Sequence, residues 1–368
     1  MIFTTTYSRS AVTFQTGFRR NLFLPFVAFA SLVAPHLVRT CNMSMQVEAA
    51  YSSPKVAKAR KDHLVYGMHD ALFGHIEKMQ GTKPFGSFLD AGTGVHSLRW
   101  IATLANDDVD NPRLKNSIST TMTDFTAVTA DESMRRNVQR EVDQLGMTHL
   151  GNVVIGNWFP PDGDDSQSLA SIDKDEDGNL KKYDTILADY LIGAMDGFSP
   201  YTQDQMIEKL AKRLKPGGRL YIVGLQPIPD SYGAPDSPQN IICEVRKARD
   251  ACILLAGDRC YREYPLDWVK RQVSLTKSSP DASLKLLNSR KFPILYRHNT
   301  IVKQINVGRR KLSRFPTKAL ADQMKVVLDD LERRSFDATE KVNRRIELGF
   351  DYVVTVERTM PEESTCAA

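Results

Sequence analysis

From residue 85 onward, short apolar runs alternate with segments whose apolar residues recur every three or four positions. The runs predict buried strands, and the periodic segments predict helices with one apolar face. Strands are predicted at 85–89, 117–123, 152–156, 183–188, 219–225, 292–307 and 349–358. Helices are predicted at 53–79, 96–105, 131–145, 203–214, 239–256, 265–275 and 316–334. This alternation predicts an α/β fold with a parallel sheet that is covered by helices on both faces.

Local sequence signals mark the boundaries of one helix. Thr202 and Gln205 form a capping-box pattern ahead of the apolar residues of the helix at 203–214. Pro216, Gly217 and Gly218 end this helix and precede RLYIVGL, a strand that is apolar at nearly every position. Such a strand is typical of the interior of a parallel sheet.

The stretch FLDAGTGVHSLRWI, residues 88–101, contains the most informative turn of the chain. An apolar strand ends at Asp90, two glycines follow at positions 92 and 94, and a helix begins. A turn of this kind presents backbone N–H groups and the positive end of a helix dipole, and its glycines let a ligand approach closely. Two ligands suit it, a dinucleotide or S-adenosylmethionine.

The position of the acid separates these two ligands. A dinucleotide fingerprint has a third glycine or alanine and places its acid about 20 residues later, on the second strand. Here Ser97 stands at the third position, and Asp90 lies two residues before Gly92. A carboxylate there would repel a phosphate, whereas it would attract the ammonium group of a methionyl tail. The turn therefore favours an amino-acid-like cofactor over a dinucleotide, with a helix cap that binds no ligand as the alternative role of Asp90.

With these residues, the sequence from about 60 to 357 resembles the class I S-adenosylmethionine-dependent methyltransferases. The resemblance implies a Rossmann-like, mostly parallel, seven-stranded sheet with an antiparallel last strand. It also implies S-adenosyl-L-methionine as the cofactor, with the methionine part held by the strand-end turn, the ribose by an acid after the second strand, and the adenine by residues after the third. The implied cofactor-binding residues are Asp90, Gly92, Gly94, Asp124, Asn157, Trp158, Asp189 and Tyr190.

Three features depart from the family pattern. His96 replaces a frequent third glycine, and we expect it to support the turn rather than to catalyse. The interval between Gly94 and Asp124 is longer than usual, and NDDVDNPRLKNS is the inserted material. Asn157 stands where the family often has an acid.

The first 45 residues form a separate segment that we predict to be a targeting sequence. Residues 1–47 contain four arginines and no acid, so without them the chain has 45 basic and 44 acidic side chains. We predict import into a mitochondrion or plastid, with a secretory route or a retained anchor as alternatives. Prolines and a histidine interrupt the apolar stretch at 21–38, so no stable membrane span is expected in the mature chain. The nearly neutral net charge of the chain after residue 47 also disfavours a nucleic-acid partner.

No metal site is expected. The five cysteines have neither CxxC nor zinc spacing, which indicates reduced thiols. DKDEDGNLKKYD, residues 173–184, matches part of a calcium loop, but Asp184 occupies the last ligand position and a strand follows. We therefore interpret 162–181 as a solvated acidic insertion, with a calcium site as the alternative.

The predicted domain order is a targeting segment at 1–45, a helical lead-in at 46–80, and a methyltransferase domain at 81–368 with a substrate-side helical segment at 230–290. Acceptor contacts are expected from Tyr66 and from CYREYPLDW, residues 260–268. No catalytic group is identified, because methyl transfer mainly requires alignment and exclusion of water. We predict a small-molecule acceptor, such as a thioether or hydroxy acid or a quinone-like phenol. The alternatives are an RNA or protein methyltransferase and a non-catalytic binding module.

Overall fold

The computed structural model describes residues 71–104, 122–130, 132–160, 174–279 and 281–359. The predicted targeting segment, the lead-in up to residue 70 and most of the acidic insertion lie outside the described residues. The strands are β1 Gly86–Asp90, β2 Met122–Thr129, β3 Gly151–Ile155, β4 Tyr183–Asp189, β5 Leu214–Leu225, β6 Leu284–Tyr296 and β7 Ile346–Arg358. The helices are α1 Ala71–Gln80, α2 Val95–Leu104, α3 Glu132–Gln144, α4 Leu191–Ala194, α5 Gln203–Ala211, α6 Pro238–Leu255, α7 Leu266–Leu275, α8 His298–Lys311 and α9 Lys318–Lys341.

The strands form one seven-stranded sheet in the order β3-β2-β1-β4-β5-β7-β6. Strands β1 to β5 are parallel to one another. Strand β7 runs antiparallel to both of its neighbours. The predicted Rossmann-like α/β fold, mostly parallel with an antiparallel last strand, is therefore confirmed.

Apolar residues on consecutive positions of the central strands fill two separate cores. Phe88, Leu187 and Val353 belong to one buried cluster, whereas their neighbours Leu89 and Ile186 belong to the other. Successive side chains of a strand point to opposite faces, so the sheet has one core on each face. A third cluster joins α6, α8 and α9 to the outer strands.

The prediction of a long strand over residues 292–307 is wrong. Strand β6 begins earlier and ends at Tyr296, and α8 begins at His298. The backbone N–H of Arg297 donates to Thr300 Oγ1 at 2.9 Å, which caps the new helix. Ile301 and Ile305, four residues apart, are buried on one helix face. The β-branched residues of this segment, which favoured a strand in the prediction, therefore form the buried apolar face of a helix.

The second strand is also displaced from its prediction at 117–123. It runs from Met122 to Thr129, and residues 117–121 lie outside the described part of the chain. Phe125, Ala127 and Val128 are buried between β1 and β3, so the strand continues well past Asp124. Asp124 is consequently near the beginning of β2 and not at its end.

The capping box expected at α5 is not formed. Thr202 is the residue before the helix, but its hydroxyl donates to the carbonyl oxygen of Ser199 at 2.7 Å and accepts no hydrogen bond from the helix. The helices predicted at 96–105, 131–145, 239–256 and 265–275 agree with α2, α3, α6 and α7, and α9 continues to Lys341. The lead-in helix predicted at 53–79 is described only from Ala71, and the short helix α4 was not predicted. Within the described ranges, no helix is both long enough and apolar enough to cross a bilayer.

Candidate active site

A cavity opens at the carboxyl ends of β1, β2, β3 and β4. Its wall on this side consists of residues 91–93, 128–130, 156–158 and 189–191, each group following one strand. In open α/β sheets, ligands bind in a crevice outside these strand ends. The topology therefore brings the segments after four strands to one binding site.

The glycine turn between β1 and α2 forms part of this wall. The N–H of Ala91 donates to Leu187 O at 2.9 Å, and the N–H of Thr93 donates to Val128 O at 2.8 Å. These bonds fix the turn against β4 and β2. Gly92 lines the cavity, and a Cβ atom on it would lie 2.8 Å from Leu191 Cδ1. Gly94 does not line the cavity; it begins the first turn of α2 by accepting a hydrogen bond from Leu98 N.

Asp90 is fully buried behind this turn, and the cavity wall begins with the next residue. Its Oδ2 accepts a hydrogen bond from Ser97 Oγ at 2.8 Å. Its Oδ1 has no hydrogen-bond partner among the described residues. Burial raises the pKa of this carboxyl to about 6, although the side chains of Thr93 and Ser97 and the backbone of Gly92 each lower it.

The unpaired atoms of this turn fit an ammonium group and not a phosphate. Asp90 Oδ1 is a buried acceptor, and the buried hydroxyl of Thr93, which lowers the pKa of Asp90 from nearby, makes no hydrogen bond of full geometry in the described structure. A buried acceptor without a donor costs about 1–3 kcal/mol, which a ligand N–H could recover. A pyrophosphate would instead place like charges together. The site therefore accommodates the amino-acid end of a cofactor.

Asp124 does not belong to this site, so its predicted contact with a cofactor ribose is wrong. It pairs in register with Ser87 near the amino-terminal edge of the sheet, and its Oδ1 lies 3.2 Å from Lys181 Nζ. Five residues of extended strand separate it from Thr129, which corresponds to about 17 Å. Thr129, and not Asp124, lines the cavity.

Asn157 and Trp158, which follow β3, both line the cavity. Asn157 Oδ1 accepts hydrogen bonds from Ser199 Oγ at 2.6 Å and from Phe159 N at 3.1 Å, which fixes the orientation of its amide. The ring of Trp158 is only 5% exposed, and its Nε1 donates to Ala91 O at 2.7 Å. Trp158 therefore positions the glycine turn more than it contacts a ligand.

Asp189 and Tyr190 lie at the end of β4, as predicted, and both line the cavity. Tyr190 has a left-handed backbone conformation with φ of 49°. Its hydroxyl donates to Asp351 Oδ1 at 2.8 Å. Burial, together with the charge of Asp351, holds the pKa of this phenol well above its usual value, so Tyr190 stays neutral.

The opposite wall of the cavity comes from α6, α8 and the stretch before α7. α6 and that stretch lie within the substrate-side segment predicted at 230–290, whereas α8 lies outside it. The lining residues here include Ile242, Val245, Arg246, Arg249, Tyr261, Glu263, Tyr296, Ile301 and Gln304. The spacing of residues 242, 245, 246 and 249 indicates in the sequence that all four lie on one face of a helix. No sequence signal placed that face toward the glycine turn.

The aromatic run at 260–268 is divided between the cavity and the core. Tyr261 lines the cavity, as predicted. Tyr264 and Trp268 pack against the buried cluster of one sheet face, with ring centroids 4.4 Å apart. The predicted acceptor contact Tyr66 lies outside the described residues, as do His63 and His69.

The second wall contains two arginines, each of which is paired with a carboxylate. Arg249 Nε donates to Asp250 Oδ1 at 2.8 Å, and its Nη1 donates to Gln304 Oε1 at 2.9 Å. Arg246 shares the same Asp250, with Nη1 at 3.5 Å, and also pairs with the exposed Asp230. Arg246 Nε is buried without a partner in the described part of the chain. Arg246 therefore retains one buried N–H that a polar group of a ligand would engage.

Two other features of the sequence, His96 and the acidic loop at 173–184, contribute no described residue to the cavity. His96 lies on α2 with its ring 5.3 Å from that of Phe73, away from the cavity wall. Asp175 and Asp177 are exposed, and Asp173 lies outside the described residues. Within the described ranges, no group of three or more His, Cys, Asp or Glu side chains could hold a metal ion.

The strand order and the position of the antiparallel strand are those of the seven-stranded Rossmann-like fold of class I S-adenosylmethionine-dependent methyltransferases. No family model matches the sequence, and no curated protein matches it either.

Solved structures with similar folds include proteins of different activities. One is an S-adenosylmethionine-dependent methyltransferase from Geobacter sulfurreducens in complex with S-adenosylhomocysteine, 12% identical, covering 82% of this chain and 98% of that one, with a TM-score of 0.37. Another is mycolic acid cyclopropane synthase CmaA1, 13% identical, covering 86% and 100%, with a TM-score of 0.37. A third is the cyclase SpnF, 12% identical, covering 83% and 82%, with a TM-score of 0.36. Likenesses of this size carry no argument about the reaction of this chain.

Proposed function

We propose that this protein is an S-adenosyl-L-methionine-dependent methyltransferase that acts on a small molecule. The observation that carries the proposal is the buried Oδ1 of Asp90, an acceptor without a partner among the described residues, directly behind a glycine turn that lines the cavity. The first wall of the cavity, formed by the segments after β1 to β4, is the cofactor side. The second wall, formed by α6, α8 and residues 261–263, is the acceptor side.

Residues of the first wall have distinct roles toward the cofactor. Asp90 and Thr93 receive its amino-acid end, and Gly92 leaves room for the backbone of the turn to approach it. Asn157, held by Ser199, faces the base. When bound, the cofactor supplies a methyl group on a sulfonium, which an acceptor attacks in line. The protein then needs chiefly to align the two partners and exclude water.

The second wall supports a small-molecule acceptor. It encloses the cavity with apolar residues of α6 and α8, in addition to the charged corner at Arg246 and Arg249. This mixture of apolar lining and a few polar groups is typical of metabolite sites. The buried Nε–H of Arg246 would donate to a polar oxygen of the acceptor. Hydroxy acids and quinone-like phenols are acceptor classes that fit this wall.

Calorimetry with S-adenosylhomocysteine tests the cofactor assignment. We expect binding by the wild type, and a loss of at least tenfold in affinity for Asp90→Ala. Asp124→Ala is the matched control, because Asp124 lies at the other edge of the sheet, and its affinity should stay within about twofold of wild type. Equal binding by wild type and Asp90→Ala would show that the turn does not hold the cofactor.

A radiolabelled methyl-donor assay then tests the acceptor class. Transfer into the small-molecule fraction of a metabolite extract supports the proposal, whereas transfer into RNA or protein would replace it. Tight binding of the cofactor without transfer to any fraction would indicate a binding module.

We also propose that the chain is imported into a mitochondrion or plastid. The proposal rests on the acid-free, arginine-containing stretch at 1–47. Fusion of these residues to a fluorescent reporter should give organellar fluorescence. A secreted or membrane-retained reporter would contradict it.

A further inference from the structure

Glu263 is a carboxylate on the acceptor wall that the proposed function leaves without a role. It lies two residues after Tyr261, in the stretch before α7, and lines the cavity. Its Oε2 is 3.2 Å from the position that a Cβ atom on Gly193 would occupy. Gly193 belongs to α4, which directly follows Asp189 and Tyr190 at the end of β4. The carboxylate is therefore placed where the cofactor wall and the acceptor wall meet.

Glu263 has no hydrogen bond and no ion pair among the described residues, since only burial and more distant charges act on it. Buried carboxylates are usually paired, so one that faces a cavity unpaired is a candidate for a functional group. The neighbouring wall has its arginines engaged elsewhere: Arg249 donates to Asp250 and Gln304. The charge of Glu263 is thus not neutralised by contact with another side chain.

Titratable and charged groups from four elements of the fold interact electrostatically with Glu263. α6 contributes Arg249 and Asp250, β7 contributes Asp351 and Tyr352, and Tyr190 and Tyr296 lie at the ends of β4 and β6. Arg249 opposes the effect of burial, whereas the two aspartates add to it. The net result raises the pKa of Glu263 to about 7. A group with such a pKa exchanges a proton at neutral pH.

We propose that Glu263 is the catalytic base that removes the proton of the methyl acceptor. The inference rests on the proposed methyltransferase function and narrows it to acceptors that carry a proton, namely hydroxyl, amine or thiol groups, and excludes thioethers. In the step, the acceptor atom forms a bond to the methyl carbon while the carbon–sulfur bond breaks and its electron pair goes to sulfur. The proton of the acceptor moves to the Glu263 carboxylate and later passes to water.

Proton release on cofactor binding tests the position of Glu263 without a known acceptor. S-adenosylmethionine carries a sulfonium charge that S-adenosylhomocysteine lacks, and both carry the same amino-acid end. A cation beside Glu263 lowers its pKa, so at pH 7 the methyl donor should release about 0.2–0.4 more protons than S-adenosylhomocysteine. Calorimetry in two buffers of different ionisation enthalpy measures this difference.

The variants separate Glu263 from other titrating groups. We expect the difference to vanish in Glu263→Gln and to persist in Glu347→Gln, a matched change at an exposed glutamate of β7. Because Asp90 meets the amino-acid end of both ligands, its protons cancel in the comparison. Equal release by both ligands in wild type, or an unchanged difference in Glu263→Gln, would overturn the proposal. Failure of either ligand to bind would instead refute the proposed function on which it rests.

The second readout uses an acceptor found in the transfer assay. Glu263→Gln should lower kcat by about 10²- to 10⁴-fold and abolish the rise of kcat with pH between about 5 and 7, where the wild-type carboxyl loses its proton beside the bound methyl donor. The affinity for S-adenosylhomocysteine should stay within about twofold. That retained affinity shows that the variant is folded. Glu263→Asp should recover part of the rate. A change of less than about threefold in Glu263→Gln, or a thioether as the acceptor, would contradict the role of base.

Discussion

The indole Nε1 of Trp158 donates a hydrogen bond to the carbonyl oxygen of Ala91 at 2.7 Å, which connects the end of β3 to the glycine turn after β1. Because Trp158 is buried in the core of one sheet face, its position is fixed, and this bond holds the turn in place. Trp158→Phe keeps most of the ring volume and leaves the carbonyl unpaired. We expect a loss of about 1–3 kcal/mol in unfolding free energy, measured by urea denaturation. An undiminished midpoint would show that the bond does not stabilise the fold.

We expect the carboxylate of Asp90, which is proposed to bind the cofactor, to lower the unfolding free energy of the protein when no ligand is bound. Its folded pKa of about 6 exceeds its ordinary value of 3.8. The folded state therefore binds more protons between these values, and stability falls as pH rises from about 4 to about 6. Asp90→Asn removes this penalty and should raise the unfolding free energy above pH 6 by roughly 1–3 kcal/mol. Thermal unfolding without ligand at pH 7.5 measures the effect, and a destabilised variant would contradict it.

The affinity for S-adenosylhomocysteine should depend on pH through the same carboxyl. Above about pH 6 the carboxylate of Asp90 is ionised and ready for the ligand ammonium, so the affinity should be constant. Below that pH the proton must be displaced, and the affinity should fall by up to about tenfold per pH unit. Titrations between pH 5 and 8 follow the change. An affinity that is flat across this range in the wild type would exclude Asp90 as the partner.

The position at which β2 ends leads to a prediction that compares two aspartates, Asp131 and Asp124. The strand ends at Thr129, and the first acid after it in the sequence is Asp131, which lies outside the described residues. In the family that the sequence resembles, the acid after this strand binds the ribose. We therefore expect Asp131→Asn to weaken S-adenosylhomocysteine binding by about tenfold or more, and Asp124→Asn to leave it unchanged. The reverse result by calorimetry would restore the original assignment to Asp124.

The sequence was sufficient where local patterns determine structure. The glycine turn, the tip of β4 and five of the seven strand positions depend on neighbouring residues, and Gly92 and Tyr190 accordingly lie where they were predicted. Asp124 was misplaced because the end of β2 depends on pairing with β1 and β3, which the local pattern does not contain. His298 was assigned to a strand because its β-branched neighbours favour strands until helix packing against α6 and α9 overrides that preference.

The sequence predicted a substrate-side segment at 230–290, but the set of residues that forms the acceptor wall could not be predicted, for a different reason. Arg249, Glu263 and Gln304 are distant in sequence and meet only because α6, α8 and the stretch before α7 pack together at the carboxyl edge of the sheet. In the sequence, each of these three residues is a polar side chain of a kind that usually lies on a protein surface. Their function becomes visible only when the tertiary contacts place them around one cavity.

A crystal structure of the protein with S-adenosylhomocysteine tests the central claim most directly. We predict that the ligand ammonium lies within about 3 Å of Asp90 Oδ1, directly or through one bridging water, with the glycine turn against the amino-acid end. A ligand bound with that end remote from Asp90, or a pyrophosphate seated against Gly92 in a dinucleotide complex, would contradict the account.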